Sequence, residues 1–246
     1  MRIGILGTGV VGHALGTGFI SRGHDVMMGG RDSANAKAKE WAVRSGGRAR
    51  TGTFADAAAF GEAVALATLW EGTQHALTLA GADALAGKLV MDATNPLVFT
   101  TGAPPALALG HNDSGGEQVQ RWLPKSRVVK VFNIVGHTEM IDPSFEHGPP
   151  DMFYCGNDAA AKVQVAEFLE AFGWPSAIDI GGIEGARLLE PMCILWVVYG
   201  FKTTHRMHIG SRRRAPSIPP MSIALGHPNA SRNSATCTFA AASLPQ

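Results

Sequence analysis

The first 135 residues alternate short apolar runs with longer stretches in which apolar residues recur at helical spacing. Short runs of β-branched and aliphatic residues predict strands, and helical spacing predicts amphipathic helices. The predicted strands cover residues 2–6, 24–29, 49–51, 63–69, 89–93 and 128–132. The predicted helices cover residues 10–22, 33–45 with Ser33 as N-cap, 54–60 and 73–80. Because the crossovers are long enough to hold helices, we expect a parallel sheet covered on both faces.

The pattern is looser beyond Gly136. Residues 152–155 and 177–180 predict two more strands, and residues 158–172 predict a helix. An apolar helix is predicted over residues 183–199, where Pro191 is expected to introduce a kink. Its apolar residues lie on several sides, which favours a homodimer interface. Residues 97–116 are rich in Gly and Pro and predict a long functional or mobile loop.

A glycine-rich turn, G-T-G-V-V-G, lies between the first predicted strand and the first predicted helix. Gly7 permits the tight turn, Gly9 lets the backbone approach a pyrophosphate, and Gly12 lets the helix pack on the strand. The helix N-terminus offers free N–H groups and a positive dipole end to phosphates. With a second strand close behind, the motif predicts a dinucleotide site made by Gly7, Thr8, Gly9, Val10, Val11 and Gly12.

The end of the second strand indicates which dinucleotide binds. Enzymes that use NAD place Asp or Glu there to bind the ribose hydroxyl, whereas this strand ends in Gly29, Gly30 and Arg31. A guanidinium can bind a 2′-phosphate through charge-assisted hydrogen bonds, which favours NADP(H) over NAD. Asn35 and Lys37 could add a donor, and Asp32 is expected to cap the following helix.

Composition and charge set the domain boundaries. The chain is 46% hydrophobic and 17% charged with a net charge of +1, which predicts neither a nucleic-acid nor a membrane partner. All 20 acidic residues lie at or before Glu190, whereas basic residues and prolines continue beyond it. We therefore predict a doubly wound α/β fold: a Rossmann NADP-binding domain at 1–137, a small C-terminal portion at 138–205 that completes the cleft, and a disordered basic tail at 206–246.

Few other residues suggest chemistry. The cysteines Cys155, Cys193 and Cys237 are scattered, so we expect reduced thiols in a cytoplasmic protein. The basic run at 212–214 lacks neighbouring aromatic residues, which disfavours nucleic-acid binding. Arg187 and Glu190 are interpreted as a structural ion pair on one helix. No metal site is expected from the loosely spaced Asp142, Glu146, His147 and Asp151.

Conventional acid–base groupings are not evident in the sequence. It contains neither a Ser–His–Asp grouping nor a Tyr-x-x-x-Lys signature that stands out. Hydride transfer between two stacked cofactors needs no such group, because positioning alone makes the reaction effectively unimolecular. Two alternatives stay open: reduction of a small carbonyl or imine, with His137 as proton donor, and a non-catalytic NADP(H)-binding redox sensor.

Five segments together resemble the NADPH-dependent reductases of coenzyme F-420 (F420), an 8-hydroxy-5-deazaflavin, and their bacterial relatives. These segments are residues 7–12, 29–31, 130–137, 155–158 and 182–191. The resemblance covers residues 1–202, and the sequence departs from it after Lys202. It implies hydride exchange between NADPH and the deazaflavin.

The resemblance also implies a set of contacts. It places NADP contacts at Thr8, Gly9, Val10, Val11, Gly30, Arg31 and Asn35. It places Leu69 and Trp70 along the cofactor, and Asn95 and Pro96 beside the nicotinamide. His137 would lie beside the deazaflavin as the catalytic-site histidine.

Overall fold

The computed structural model describes residues 1–101, 103–145 and 150–203, with side chains described as far as Val198 within these ranges. Its strands are β1 (Arg2–Leu6), β2 (Asp25–Gly30), β3 (Ala49–Thr53), β4 (Ala63–Leu66), β5 (Leu89–Asp92), β6 (Leu97–Val98), β7 (Ala106–Leu107), β8 (Arg127–Lys130), β9 (Met152–Gly156) and β10 (Ala177–Asp179). Its α-helices are α1 (Val10–Ser21), α2 (Ala36–Ser45), α3 (Phe54–Phe60), α4 (Trp70–Ala80), α5 (Ala82–Leu85), α6 (Gly115–Trp122), α7 (Ala159–Ala171) and α8 (Ala186–Thr203).

Eight of these strands form one sheet in the order β10-β9-β8-β5-β4-β1-β2-β3. All neighbours from β8 to β3 are parallel, so their carboxyl ends meet along one edge. The chain begins in the middle, at β1, and winds outward first to β3 and then to β8. This order confirms the predicted doubly wound α/β fold, and it places a crevice at β1, where the winding reverses.

The sheet is buried on both faces because apolar residues point alternately to opposite sides of each strand. Ile3 and Ile5 of β1 face α1, α2 and α7. Leu6 of β1 and Leu66 of β4 face α3, α4 and α6 on the other side. Residues of the two cores are almost without exposed surface, so the strand ends stand on a rigid base.

The start of α2 differs from the prediction. Asn35, rather than Ser33, is the N-cap residue, and its side chain accepts a hydrogen bond from the Ala38 amide at 3.0 Å. Asp32 does not cap the helix either, because its carboxylate accepts from the Ala34 amide at 2.8 Å. Asp32, Ser33 and Asn35 are all good cap residues, and with Asn35 as the cap four residues, 31–34, connect β2 to the helix cap.

Residues after β8 extend the same sheet. Strand β9 pairs with β8 in the antiparallel direction, and β10 is parallel to β9. Residues 97–116, predicted as a long irregular loop, contain the short antiparallel pair of β6 and β7 and the start of α6. Helix α8 continues through Pro191 without a break.

The predicted tail at 206–246 lies outside the described residues. Among the helices in the described ranges, none has the length and apolarity that a membrane span requires.

Candidate functional site

The glycine-rich turn joins β1 to α1 at the crevice. Gly7 has a φ of 134°, a conformation that side-chain-bearing residues rarely adopt, and a Cβ there would lie 2.3 Å from the Ala67 carbonyl oxygen. A Cβ on Gly12 would lie 2.3 Å from the Gly7 carbonyl oxygen. Both glycines are therefore required by the packing of the protein itself.

Gly9 is different, because no described protein atom lies within 4 Å of the place a Cβ would take. Gly9 is the N-cap of α1, no side chain caps the helix, and its first turn carries no acidic residue. The first turn of α1, with Val10 and Val11, thus has its positive dipole end uncapped by any side chain and beside open space at Gly9. This is a backbone cradle of the kind that binds a diphosphate.

Arg31 directly follows β2, the strand next to β1. It is exposed and forms no ion pair within the described part of the chain. Gly30 is buried beneath it, with the Thr8 methyl group 3.3 Å from its Cβ position. The guanidinium is therefore free to meet a phosphate beside the crevice. Asn35 uses its side-chain oxygen to cap α2.

Leu69 and Trp70 follow β4 at the start of α4. Leu69 is 67% exposed at the strand edge. The Trp70 ring is half-buried and stacks on Trp122 at a centroid distance of 5.6 Å, so most of its surface is used in packing. The structure therefore brings Leu69 to the open edge and gives Trp70 a packing role.

Two asparagines bridge the ends of β5 and β8. Asp92 and Lys130 are paired in register, and Asn95 and Asn133 each lie three residues beyond them. The Asn95 Nδ2 donates to the Asn133 carbonyl oxygen at 2.8 Å, and the Asn133 Nδ2 donates to Asn95 Oδ1 at 2.9 Å. Asn133 was not selected as a site residue from the sequence. Its position could have been found by aligning β5 with β8, because Asn133 follows β8 at the same distance at which Asn95 follows β5.

Below this bridge lies a buried charge cluster that we call the carboxylate–lysine triad: Asp92, Lys130 and Glu190. The Lys130 Nζ lies 2.8 Å from Asp92 Oδ2 and 2.9 Å from Glu190 Oε1, and all three side chains are at most 2% exposed. Burial alone lowers the pKa of Lys130, but the two carboxylates more than offset it and hold that pKa above its ordinary value. Lys130 is therefore held as a buried cation between two carboxyl groups.

The triad also fixes the site loop. Lys130 donates to the Thr94 carbonyl oxygen at 2.8 Å, and Asp92 Oδ1 accepts from the Thr94 amide at 2.9 Å. Glu190 accepts from the amides of Gly115 and Gly116 at 2.9 Å each, so it occupies the N-terminus of α6. Lys130 thus holds Thr94 directly and holds the N-terminus of α6 through Glu190.

The predicted ion pair between Arg187 and Glu190 is wrong. Arg187 instead pairs with Glu117 of α6, with Nε to Oε2 at 2.8 Å, and Glu190 turns inward to Lys130. The spacing rule for one helix failed because two long-range partners bind these side chains more closely. The hydrogen bond from Arg187 holds the pKa of Glu117 below its ordinary value.

His137 opens a short 3-10 helix and is exposed. It lines a groove of about 590 Å³ between α1 and residues 137–142, together with Val10 and His13. Burial, reinforced by Arg44, lowers the pKa of His13, so this neighbour is neutral at pH 7. The groove begins at the first turn of α1 and so lies next to the diphosphate cradle.

The remaining candidates do not form a site in the described residues. Cys155 and Cys193 are free and buried, and burial raises their pKa values to about 12 and about 11. Within residues 1–101, 103–145 and 150–203 no three His, Cys, Asp or Glu side chains converge as metal ligands. Asp142 pairs with Arg22. Glu146, His147 and Cys237 lie outside the described residues.

The parallel sheet, the crevice at β1 and the uncapped glycine turn define a Rossmann-type dinucleotide-binding protein. The family profile described as "NADP oxidoreductase coenzyme F420-dependent" matches residues 2–96. The chain is 31% identical to the F420-dependent NADP reductase of Methanocaldococcus jannaschii over 82% of this chain and 93% of the relative. The chain belongs to the family of F420-dependent NADP reductases, as its sequence motifs predict.

Two further comparisons set the limits of this similarity. A crystal structure from Arthrobacter sp. FB24, whose description proposes an F420-dependent NADP reductase, superposes with a TM-score of 0.78 at 37% identity. The match covers 83% of this chain and 95% of that one. The rat metalloreductase STEAP3 is 28% identical over 77% of this chain, which spans only 36% of that protein.

The residues present fit NADP(H) on three observations of this structure. Gly9 leaves the cradle open, Arg31 is free of ion pairs among the described residues, and the buried Asn133 Oδ1 has no hydrogen-bond partner there. A diphosphate, a 2′-phosphate and a carboxamide match these three features in chemistry.

Proposed function

We propose that this protein transfers a hydride between NADP(H) and coenzyme F420. The observation that carries the proposal is the pairing of an open, uncapped N-terminus of α1 with the exposed Arg31 one strand away. When bound, the nicotinamide supplies or accepts the hydride. The main chain at Gly9, Val10 and Val11 binds the diphosphate, and Arg31 selects the phosphorylated ribose. Relatives named F420-dependent NADP reductases support F420 as the acceptor.

The direct test follows NADPH absorbance with purified protein and a panel of acceptors. We expect oxidation of NADPH by F420 and little or none by free flavins and quinones. Failure to oxidise NADPH with every one of these acceptors would overturn the proposal. Turnover of a small imine or carbonyl compound, without turnover of F420, would favour that rival reaction. Binding of NADPH with no turnover of any acceptor would favour a redox sensor.

His137 supports placing the acceptor in the groove beside α1. It is exposed there, close to Val10 in the first turn of α1, and the groove is open to solvent. We expect His137→Gln to slow reaction with F420 about tenfold, the cost of one hydrogen bond of about 1.4 kcal/mol. The NADPH dissociation constant should stay within about twofold. His75→Gln, an exposed histidine of α4 outside the groove, is the matched control.

We further propose that a second copy of the chain covers one face of α8. Leu188 and Leu195 lie two turns apart on that helix and are 68% and 58% exposed. Val98 and Phe99 add exposed apolar surface beside β6. Because isolated soluble chains rarely expose clustered large apolar side chains, the face fits a homodimer. Sedimentation should give a dimer, and the double substitution L188K/L195K should give a monomer; a wild-type monomer would refute this.

A cytoplasmic location is the last part of the proposal. Cys155 and Cys193 are unpaired and buried, which suits a reducing compartment. Fractionation of cells that produce the tagged protein would test it, and recovery in a secreted fraction would contradict it.

A further inference from the structure

Asn133 carries a buried polar atom with nothing in the described structure to bond. Its side chain is 3% exposed, and its Oδ1 has no hydrogen-bond partner among the described residues. Leaving a buried acceptor unpaired is unfavourable, so a hydrogen-bond donor from a ligand would stabilise this atom. The position lies at the carboxyl edge of the sheet, beyond β8.

The hydrogen bonds around Asn133 fix the free atom as an acceptor. The Asn133 backbone carbonyl can only accept, so the Asn95 amide must present Nδ2 to it, at 2.8 Å. Asn95 Oδ1 then faces the Asn133 side chain, which must donate a hydrogen bond to it from Nδ2, at 2.9 Å. The Asn133 Oδ1 is consequently turned away from Asn95, and an exchange of its oxygen and nitrogen would break this bond.

The backbone holds this geometry at some cost. Phe132 has a φ of 65° and a side chain only 1% exposed, so a bulky residue stands in the left-handed region immediately before Asn133. Such backbone strain persists where the surrounding structure over-determines it, and it clusters at ligand sites. The carboxylate–lysine triad holds this segment in place, because Lys130 is the last residue of β8, three residues before Asn133.

The order of the strands indicates which ligand group meets this atom. Arg31 follows β2 on one side of β1, and Asn133 follows β8 on the other side, beyond β4 and β5. Because a dinucleotide binds across the crevice at the carboxyl ends of the strands, one with its phosphorylated ribose at Arg31 and its diphosphate at Gly9 would extend its nicotinamide half toward Asn95 and Asn133. The nicotinamide carboxamide carries an N–H₂ group, the donor that an unpaired amide oxygen requires.

We propose that Asn133 Oδ1 accepts a hydrogen bond from the carboxamide N–H of the nicotinamide and thereby fixes the orientation of the ring. This inference rests on the proposed binding of NADP(H). Asn133 is then a binding residue, and Asn95 positions it.

The test compares the dissociation constants of three probes. They are NADP⁺, its 3-acetylpyridine analogue, in which a methyl group replaces the amide N–H₂, and 2′,5′-ADP, which has no nicotinamide. We expect the wild type to bind NADP⁺ about tenfold more tightly than the acetylpyridine analogue, because that analogue leaves the buried acceptor unpaired. In Asn133→Ala the two should bind about equally, while 2′,5′-ADP should bind as in the wild type.

Asn95→Ala tests the positioning role of Asn95. It keeps the Asn133 side chain but removes the bond that orients its amide, so the preference for NADP⁺ over the analogue should fall to a value between those of the wild type and Asn133→Ala, while 2′,5′-ADP binding stays unchanged. Equal wild-type binding of NADP⁺ and its analogue would overturn the inference without any variant being made. An undiminished preference in Asn133→Ala would overturn it too. If the wild type fails to bind 2′,5′-ADP, the proposed NADP(H) function itself fails, which is a different result.

Discussion

The two sides of the candidate site consist of different chemical groups. The glycine side, at the ends of β1 and β2, consists of main-chain groups around Gly9 and one exposed side chain, Arg31. The asparagine side, at the ends of β5 and β8, consists of the bridged Asn95 and Asn133 above the buried carboxylate–lysine triad. The first side is exposed and comes from two successive segments at the start of the chain. The second side is mostly buried and comes from residues far apart in sequence.

This difference predicts that the effects of a mutation on ligand binding and on stability can be separated on the glycine side but not on the asparagine side. On the glycine side a substitution can block a ligand without disturbing any protein contact, because the open space is for the ligand. On the asparagine side the same residues that shape the site also hold β5, β8 and α6 together. Mutations there should lower the free energy of unfolding as well as change ligand binding.

The largest effect is expected from Lys130→Met. It leaves the carboxylates of Asp92 and Glu190 buried without a counter-charge, and breaking a buried pair in this way costs about 3–5 kcal/mol. Chemical denaturation measures the free energy of unfolding. Lys162→Met is the control, because its pair with Asp179 has the same 2.8 Å separation but is partly exposed, at 17% and 39%. That pair should be worth less than about 1 kcal/mol. Equal losses would contradict the special role of the triad.

The next effect separates two glycines of one turn. Gly12→Ala places a Cβ 2.3 Å from the Gly7 carbonyl oxygen and should lower the free energy of unfolding by about 1–3 kcal/mol. The backbone of Gly9 is extended, with φ −87° and ψ −176°, and the methyl group of Gly9→Ala would enter free space. Its stability should be unchanged, whereas NADPH binding should weaken by at least about tenfold, or about 1.4 kcal/mol. Tight NADPH binding by a folded Gly9→Ala protein would rule out the cradle.

An effect of comparable size, confined to binding, is expected from Arg31→Ser. Loss of charge-assisted hydrogen bonds of about 1.5–3 kcal/mol should weaken NADPH binding about 10- to 100-fold. NADH lacks the 2′-phosphate, so its affinity should barely change, and thermal unfolding should match the wild type. Arg50→Ser, an exposed arginine of β3, serves as the matched control. A parallel loss of NADPH and NADH affinity would mean that Arg31 does not meet the ribose phosphate.

The smallest effect concerns the pair of Glu117 and Arg187, which are 12% and 37% exposed and connect α6 to α8. The pKa of Glu117 is lowered in the folded state, so the pair stabilises the protein above about pH 4.5 and its contribution is lost as pH falls through the lowered pKa. Glu117→Gln should therefore cost up to about 1 kcal/mol at pH 7 and less near pH 4. Urea unfolding at the two pH values measures this, and an equal cost at both would remove the ionic explanation.

The same contrast explains what the sequence could predict. The glycine turn, Arg31 and the parallel sheet follow from local signals: a motif of six residues, one strand end and the periodicity of short apolar runs. The strand bounds of β1 and the helix α3 agree with the predicted ranges to the residue. The family motifs likewise lie in short continuous segments.

Features that depend on distant partners could not be predicted in this way. Asp92, Lys130 and Glu190 come together only because β5, β8 and α8 are adjacent in space, and spacing along one helix suggested Arg187 as the partner of Glu190. The antiparallel direction of β9 leaves no mark in its hydrophobic pattern. The free oxygen of Asn133 is visible only when all the hydrogen bonds of its neighbours are known.

A crystal structure of the complex with NADP⁺ tests the central claim most directly. We predict the diphosphate against the main-chain amides at the start of α1, the 2′-phosphate on the Arg31 guanidinium, and the carboxamide at Asn133. A dinucleotide bound elsewhere, or bound with its diphosphate away from Gly9, would contradict the account.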